Sequence, residues 1–306
     1  MSFLSQNDRL KKICSELLES GSVKVVIGFT AGMEGMNAAP YFMRAPGEVK
    51  ESVWDETCTP NLAKYLPEMR EKAAIVAKPC DARAIVMYLA EKQVGRDNLY
   101  IIGMECAGMK GKNAKPAPGC ESCGVRIPPV CDVLVGFGEN GNDGGDLSAQ
   151  SKEGQGNAGM DEGLSGLSPE EKLERFRNEL QKCILCYSCR QACYGCYCKT
   201  CFAERNIPNW LPAEIDTGTK MVFHLGRAMH LSGRCVECGA CERACPSGVK
   251  IRYLINEIND FVEEQYGYRA GVDPAEAPAM SAYCQDDREI GFLGGEGDRN
   301  CCDTQK

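Results

Sequence analysis

The sequence lacks the features of a membrane, secreted or nucleic-acid-binding protein. No apolar run approaches the roughly 18 residues that a spanning helix needs; residues 84–90 form one of the longest. Positive charge is in deficit, with 35 Lys and Arg against 43 Asp and Glu, a formal charge of -8 and a pI of about 5.1. That balance argues against nucleic acid or an anionic membrane surface as a partner. The opening MSFLSQNDRLKKIC turns polar after four residues, so it has no secretory apolar core. The expected location is cytoplasmic. The glycines of GFTAGMEG do not make GxGxxG, and no phosphate loop, activated serine or paired-carboxylate pattern is present. Histidine is scarce: His224 and His230 lie six apart, do not share a helix face cleanly and are not expected to bind a metal together.

Cysteine, by contrast, is abundant, with 21 in 306 residues. A disulfide scaffold would need an oxidising compartment and usually a small domain. Two runs give the cysteines a chemistry of their own: Cys183-x2-Cys186-x2-Cys189-x3-Cys193 and Cys235-x2-Cys238-x2-Cys241-x3-Cys245, the second followed by Pro246. Zinc sites pair CxxC units a dozen or more residues apart, and four cysteines this close cannot comfortably close one tetrahedron. The spacing is that of a ferredoxin with two 4Fe–4S clusters, in which three cysteines bend round one cube and the fourth reaches the other. Cys183, Cys186, Cys189 and Cys245 are thus expected to hold cluster 1, and Cys235, Cys238, Cys241 and Cys193 cluster 2. A hydrogen bond from His224 or His230 to a cluster sulfur, or plain core packing, suits the histidines. So large a thiolate load fits an anaerobic or strongly reducing cytosol.

The chain is long enough for two domains. Residues 6–20 have helical spacing, and VKVVIGF then reads as a buried strand. Residues 30–46, rich in Gly, Ala, Met and Pro, read as a long functional loop, and 60–66 as a short helix. Strands at 72–78 and 99–104 flank a helix at 81–94, with a last short strand at 133–137. This alternation predicts an α/β domain over 1–137 with a mainly parallel sheet. Nine of the thirty residues in 138–167 are glycine, which reads as a flexible linker. Ser168-Pro169-Glu170-Glu171 is a capping box that opens a helix into the first cysteine run. The dicluster ferredoxin domain is expected over 168–269 in a helical setting, with helices from FHLGRAMHL and IRYLINEINDFVEEQYGY, and an extended tail over 270–306.

A second set of cysteines belongs to the first domain. Cys80 follows one strand and opens a helix, Cys106 follows the next strand, and Cys120-x2-Cys123 lies in the loop beyond. Parallel strands present their carboxyl ends on one edge, where ligands of such sheets bind. The helix N-terminus should favour a Cys80 thiolate. These four either hold a third 4Fe–4S cluster or divide into buried structural thiols and a separate CxxC.

The segments KPCDARAI, IIGMECAGM and CESCGVRIPPVCDVLVGF resemble the beta subunit of the deazaflavin-coenzyme-reducing hydrogenase and dehydrogenase family. The second half, from CILCYSCRQACYGCYCKTC through FHLGRAMHLSGRCVECGACERACPSG, resembles dicluster subunits that accompany hydrogenases, formate dehydrogenases and heterodisulfide-reductase-type complexes of anaerobes. The resemblance implies a 4Fe–4S cluster on Cys80, Cys106, Cys120 and Cys123 and an FAD beside it. Lys78, Arg83 and Lys110 could hold its phosphates, or simply be solvated. The implied partners are a flavin- and iron–sulfur-containing subunit of the heterodisulfide reductase A type and a hydrogenase, formate dehydrogenase or methylene-tetrahydrofolate reductase module.

One departure stands out. Cys193 is followed by Tyr194 rather than proline, and then come Cys196, Cys198 and Cys201. Those thiols could ligate a fourth metal centre completed by Cys58, Cys131 or a tail cysteine, compete with Cys193, or be buried bystanders. The expected function is a subunit that relays single electrons between redox partners. The alternative is an FAD-containing catalytic subunit that exchanges hydride with a deazaflavin or nicotinamide.

Overall fold

The computed structural model describes residues 3–34, 36–111, 114–121, 123–137, 166–212 and 214–281. Residues 138–165, most of the Gly-rich linker, and the tail beyond 281 with Cys284, Cys301 and Cys302 lie outside the described residues.

In the first half, α1 (Phe3–Glu19) is followed by β1 (Val25–Thr30), β2 (Ala39–Met43), β3 (Ala73–Ala77), α2 (Pro79–Ala90), β4 (Leu99–Met104) and β5 (Val133–Val135). The sheet order is β2-β1-β3-β4-β5, and β1, β3, β4 and β5 run parallel. An α/β region with a mainly parallel sheet is therefore present, as the alternation of periods predicts. Every residue of β3 is buried, which is why that strand is apolar without interruption. The expected helix at 60–66 is a 3-10 turn, Leu62–Glu68.

The reading of residues 30–46 as a loop is corrected. Ala39–Met43 is an antiparallel edge strand on β1, with Tyr41 opposite Gly28 and Pro40 opposite Phe29. A proline is tolerated there because an edge strand has one side without ladder bonds. Gly28 makes room for the pairing, since a Cβ would sit 2.9 Å from Met43 Cε.

The second half has α3 (Pro169–Gln181), α4 (Ser188–Gln191), α5 (Thr217–His230), α6 (Ala240–Arg243) and α7 (Arg252–Tyr266). The expected capping box is formed: Glu171 N donates to Ser168 Oγ at 3.2 Å and Ser168 N to Glu171 Oε2 at 2.7 Å. Helix α7 ends at Gly267, which takes the left-handed conformation at φ 64°.

Most of the apolar core lies between the sheet and its helices, and Tyr194, Val236, Val262 and Tyr268 of the second half join it. A smaller core of Phe176, Leu180, Ala228, Leu231, Ile255 and their neighbours holds α3, α5 and α7 together. The halves are fastened by polar contacts as well. Tyr88 donates to Tyr194 O, Arg234 pairs with Glu91, and Arg83 donates to Ala270 O at 3.0 Å.

Candidate metal centre

The two cysteine runs share one backbone design. In the first run Leu185 and Tyr187 have positive φ, at 51° and 59°; in the second Glu237 and Gly239 do, at 59° and 71°. A one-turn helix follows each, α4 and α6. Left-handed backbone costs a non-glycine residue about 1–2 kcal/mol. Alternating left- and right-handed residues turn successive N–H groups toward one point, a concavity suited to an anion. Within it Leu185 N points at Cys183 Sγ (3.3 Å), and Glu237 N at Cys235 Sγ (3.4 Å). Val249 N points at Cys245 Sγ (3.3 Å).

The geometry sorts the cysteines across the runs. A recess is lined by Cys183, Cys186 and Cys189 of the first run and by Cys245 from the end of the second, with Cys241 at its wall. Burial raises the Cys183 and Cys189 thiols, and Cys245 adds to the effect on both. The exposed Cys186 is lowered, chiefly by the Ser188 hydroxyl 3.4 Å away. The complementary group is Cys235, Cys238 and Cys241 with Cys193 of the first run. Burial raises each of the first three, Cys241 to about 12, and Cys193 raises all three further. Cys193 itself is held down, first by the hydrogen bond from Cys196 and then, against its burial, by Arg227.

Helix α5 carries the polar groups that face these thiols. Its inward positions include Lys220, His224 and Arg227, 9%, 2% and 3% exposed, whereas Val222, Leu225 and Met229 on the same helix are exposed. His224 Nε2 lies 3.3 Å from Cys183 Sγ. Burial, and then Arg227, lowers His224 to about 4, so the ring is neutral at ordinary pH. His224 Nδ1 and two nitrogens of Arg227, Nε and Nη1, are buried without a hydrogen-bond partner. Buried polar groups without partners are costly. Ringed by thiols, they suit an anionic sulfur-rich group, so the residues present fit a cluster. The inside-out pattern of α5, with basic residues at i, i+4 and i+7, is the sequence signal that could have found Lys220 and Arg227.

In the first half, Cys80 and Cys106 stand at the carboxyl edge of β3 and β4. Burial raises Cys106 to about 11, with Cys120 and Cys123 adding to the rise. Gly108 N points at Cys106 Sγ at 3.4 Å. The expected thiolate on Cys80 is corrected: burial, and then Asp81, push that thiol well up and outweigh the helix N-terminus. Cys80 is influenced by Cys120 and also by Cys238.

The loop bearing Cys120 is pressed against the loop bearing Cys238. A Cβ on Gly119 would meet the Cys238 carbonyl at 2.8 Å, and one on Gly239 would meet Pro118 O at 1.9 Å. Arg243 clasps the junction, with Nη1 donating to Pro118 O and Cys238 O, each at 2.6 Å, and Nη2 to Thr59 O at 2.8 Å.

The residues read as phosphate holders are already engaged. Lys78 is buried against Asp81 (2.8 Å) and Pro60 O (2.8 Å); Arg83 is buried against Ala270 O; Lys110 pairs with Glu56 at 2.9 Å. Only Lys78 is fully engaged by the fold: Arg83 keeps Nη2 buried without a hydrogen-bond partner, and Lys110 is half exposed. Cys196 sits beside Cys193, Cys198 is exposed, and Cys201 lies beside Arg190 and Tyr187. Cys58 is buried near Val53 O and Asp55, and Cys131 packs on Gly103 of β4. Among the described residues no three His, Cys, Asp or Glu side chains converge on one point that a single ion could fill. No described helix is long and apolar enough to cross a membrane.

No protein-family model matches the chain. It is similar to the F420-dependent formate dehydrogenase subunit beta of Methanocaldococcus jannaschii, at 23% identity over 87% of this chain and 92% of the relative. It is also similar to the F420-dependent formate dehydrogenase 1 subunit beta of Methanococcus maripaludis, at 24% identity over 88% and 91%. The resemblance to beta subunits of deazaflavin-coenzyme-linked dehydrogenases therefore extends through nearly the whole chain, second half included.

Proposed function

We propose that the chain is an iron–sulfur electron-transfer subunit of a cytoplasmic oxidoreductase complex. Cys183, Cys186, Cys189 and Cys245 would hold one 4Fe–4S cluster, and Cys235, Cys238, Cys241 and Cys193 a second. Cys80, Cys106, Cys120 and Cys123 would hold a third. When bound, such clusters accept and release one electron at a time, at potentials set by burial and by hydrogen bonds to sulfur. The observation that carries the reading is the recess lined by Cys183, Cys186 and Cys189 of the first run together with Cys245 and Cys241 of the second. Two separate four-ligand runs would not bring Cys245 there, whereas cross-ligation requires it.

This chain's own residues would do the rest. The turns around Leu185 and Glu237 aim N–H groups at sulfur, and α5 supplies buried positive charge. The Gly119–Gly239 junction keeps the third ligand set against the second. The exposed Cys186 leaves the first set nearest to solvent, which supports a series running from the sheet edge to a partner at the recess. In this reading residues 1–137 and 168–269 are an α/β and a ferredoxin-like unit. The partners are a flavin-containing subunit and a hydrogenase, formate dehydrogenase or methylene-tetrahydrofolate reductase module.

A second reading keeps a flavin in the first half, as the hydride-exchanging subunit of an F420- or nicotinamide-dependent enzyme. The activity of the two relatives favours it; the burial of Lys78 against Asp81 tells against that residue as a phosphate holder, whereas Arg83 keeps Nη2 buried without a hydrogen-bond partner. Anaerobic purification followed by iron, sulfide and flavin assays separates the two. About twelve irons per chain, four per cube, without flavin supports the relay. Stoichiometric flavin with reduction of a hydride acceptor overturns it in favour of the second reading.

A further inference from the structure

We infer that Arg227 is a positioning residue shared by both cysteine runs, its guanidinium supplying hydrogen bonds and counter-charge to the groups they bind and raising the reduction potentials of both together. The inference rests on the reading of these runs as cluster ligands.

Arg227 belongs to α5 and is 3% exposed. An arginine cannot shed its charge in a protein, and a buried unpaired cation costs several kcal/mol. Yet no described carboxylate pairs with it, and its one oxygen acceptor is Cys189 O, 3.2 Å from Nη2. The other two nitrogens, Nε and Nη1, have no oxygen or nitrogen partner. What surrounds the charge is sulfur: Cys193, Cys241, Cys196 and Cys189 are the groups that act on it most. Cys189 belongs to the first ligand set, and Cys193 and Cys241 to the second. The guanidinium thus stands between the sets, with donors left over for both. The one anion the chain itself offers beside this charge is the lowered Cys193 thiol, which in this reading is a ligand of the second set.

The physical consequence follows from charge. Adding an electron makes a thiolate-ligated cluster more negative, and a nearby fixed cation stabilises that state more than the oxidised one. Because one group serves both sets, removing it should lower both midpoints. His224 cannot do this, since its hydrogen bond reaches Cys183 of the first set only.

The test uses the full chain, purified anaerobically, with iron counted first and midpoints then read by redox titration of the paramagnetic signals. In Arg227→Gln, iron should be retained and both midpoints of the paired runs should fall, while the signal assigned to Cys80, Cys106, Cys120 and Cys123 stays in place. Arg227→Lys keeps the charge but loses the planar set of donors, and should lower both midpoints by less. If the glutamine variant fails to hold iron, the lysine variant decides alone. Midpoints unmoved in an iron-loaded variant, or a shift in only one of the paired signals, would overturn the inference. Absence of iron–sulfur signals from the unaltered chain would overturn the reading beneath it, a distinct outcome.

Discussion

In the first half the cysteines stand on elements that fold for other reasons, whereas in the second they lie on backbone with little else to hold it. Cys80 opens α2 and Cys106 follows β4, both anchored by the large core beneath the sheet. Cys183 to Cys193 and Cys235 to Cys245 instead occupy tight turns and one-turn helices, with left-handed Leu185, Tyr187 and Glu237 among them. Their own core is the small cluster around Phe176, Leu180 and Tyr253, though Val236 and Cys238 of the second run also pack on the large one. A strand end can present a thiol without metal. A turn that carries strain and aims N–H groups inward needs the ligand to stabilise it, because binding free energy in such sites is folding free energy.

The largest effect that sharpens this contrast should come from stripping the metal. Anaerobic chelation is expected to abolish hydrogen-exchange protection in α4 to α6 while β1, β3 and β4 stay protected; equal loss in both halves would contradict it. Next in size is the buried Lys78–Asp81 pair that flanks Cys80 of the third set. Asp81→Ala leaves Lys78 charged and 2% exposed, and should cost about 3–5 kcal/mol in the unfolding of the first half. Urea unfolding followed by the fluorescence of the buried Trp54 reads that change, and a loss under about 1 kcal/mol would show that the pair contributes little.

Much of this contrast was legible in the sequence. Strand β4 spans the expected 99–104, and the helix expected over 81–94 is present as α2, shifted toward the N-terminus to Pro79–Ala90. The cysteine spacing alone implied that Cys245 would leave its own run, and the recess beside Cys183 supports that. What escaped notice has physical reasons. Strand β2 carries Pro40 and borders a Gly- and Met-rich stretch, so its pairing depends on β1 rather than on local preference. The burial of Lys78, Arg83 and Arg227 was not legible because charged residues are seldom buried unless paired. Their partners, Asp81 apart, are remote in sequence: Ala270, Glu237 and Cys189. The Gly119–Gly239 junction joins segments too distant for any local pattern to link.

A smaller effect tests that junction. Gly119 has φ 92°, and a Cβ there would lie 2.8 Å from Cys238. Gly119→Ala should therefore separate the loops, lowering stability by about 1–3 kcal/mol and weakening the magnetic interaction between the second and third signals. An unchanged interaction would mean that the close approach does not set their separation. The smallest expected effect is at the entrance to the first run. Ser168→Ala removes the cap of α3 and should cost about 1 kcal/mol, visible as a lower melting midpoint of the second half with the iron count unaltered.

Cross-ligation is the central claim, and single-cysteine replacement with low-temperature paramagnetic spectroscopy tests it most directly. Cys245→Ser should perturb the same signal as Cys183→Ser, and Cys193→Ser the same signal as Cys235→Ser. If Cys245→Ser instead alters the signal governed by Cys235, each run holds its own cluster and the account is wrong.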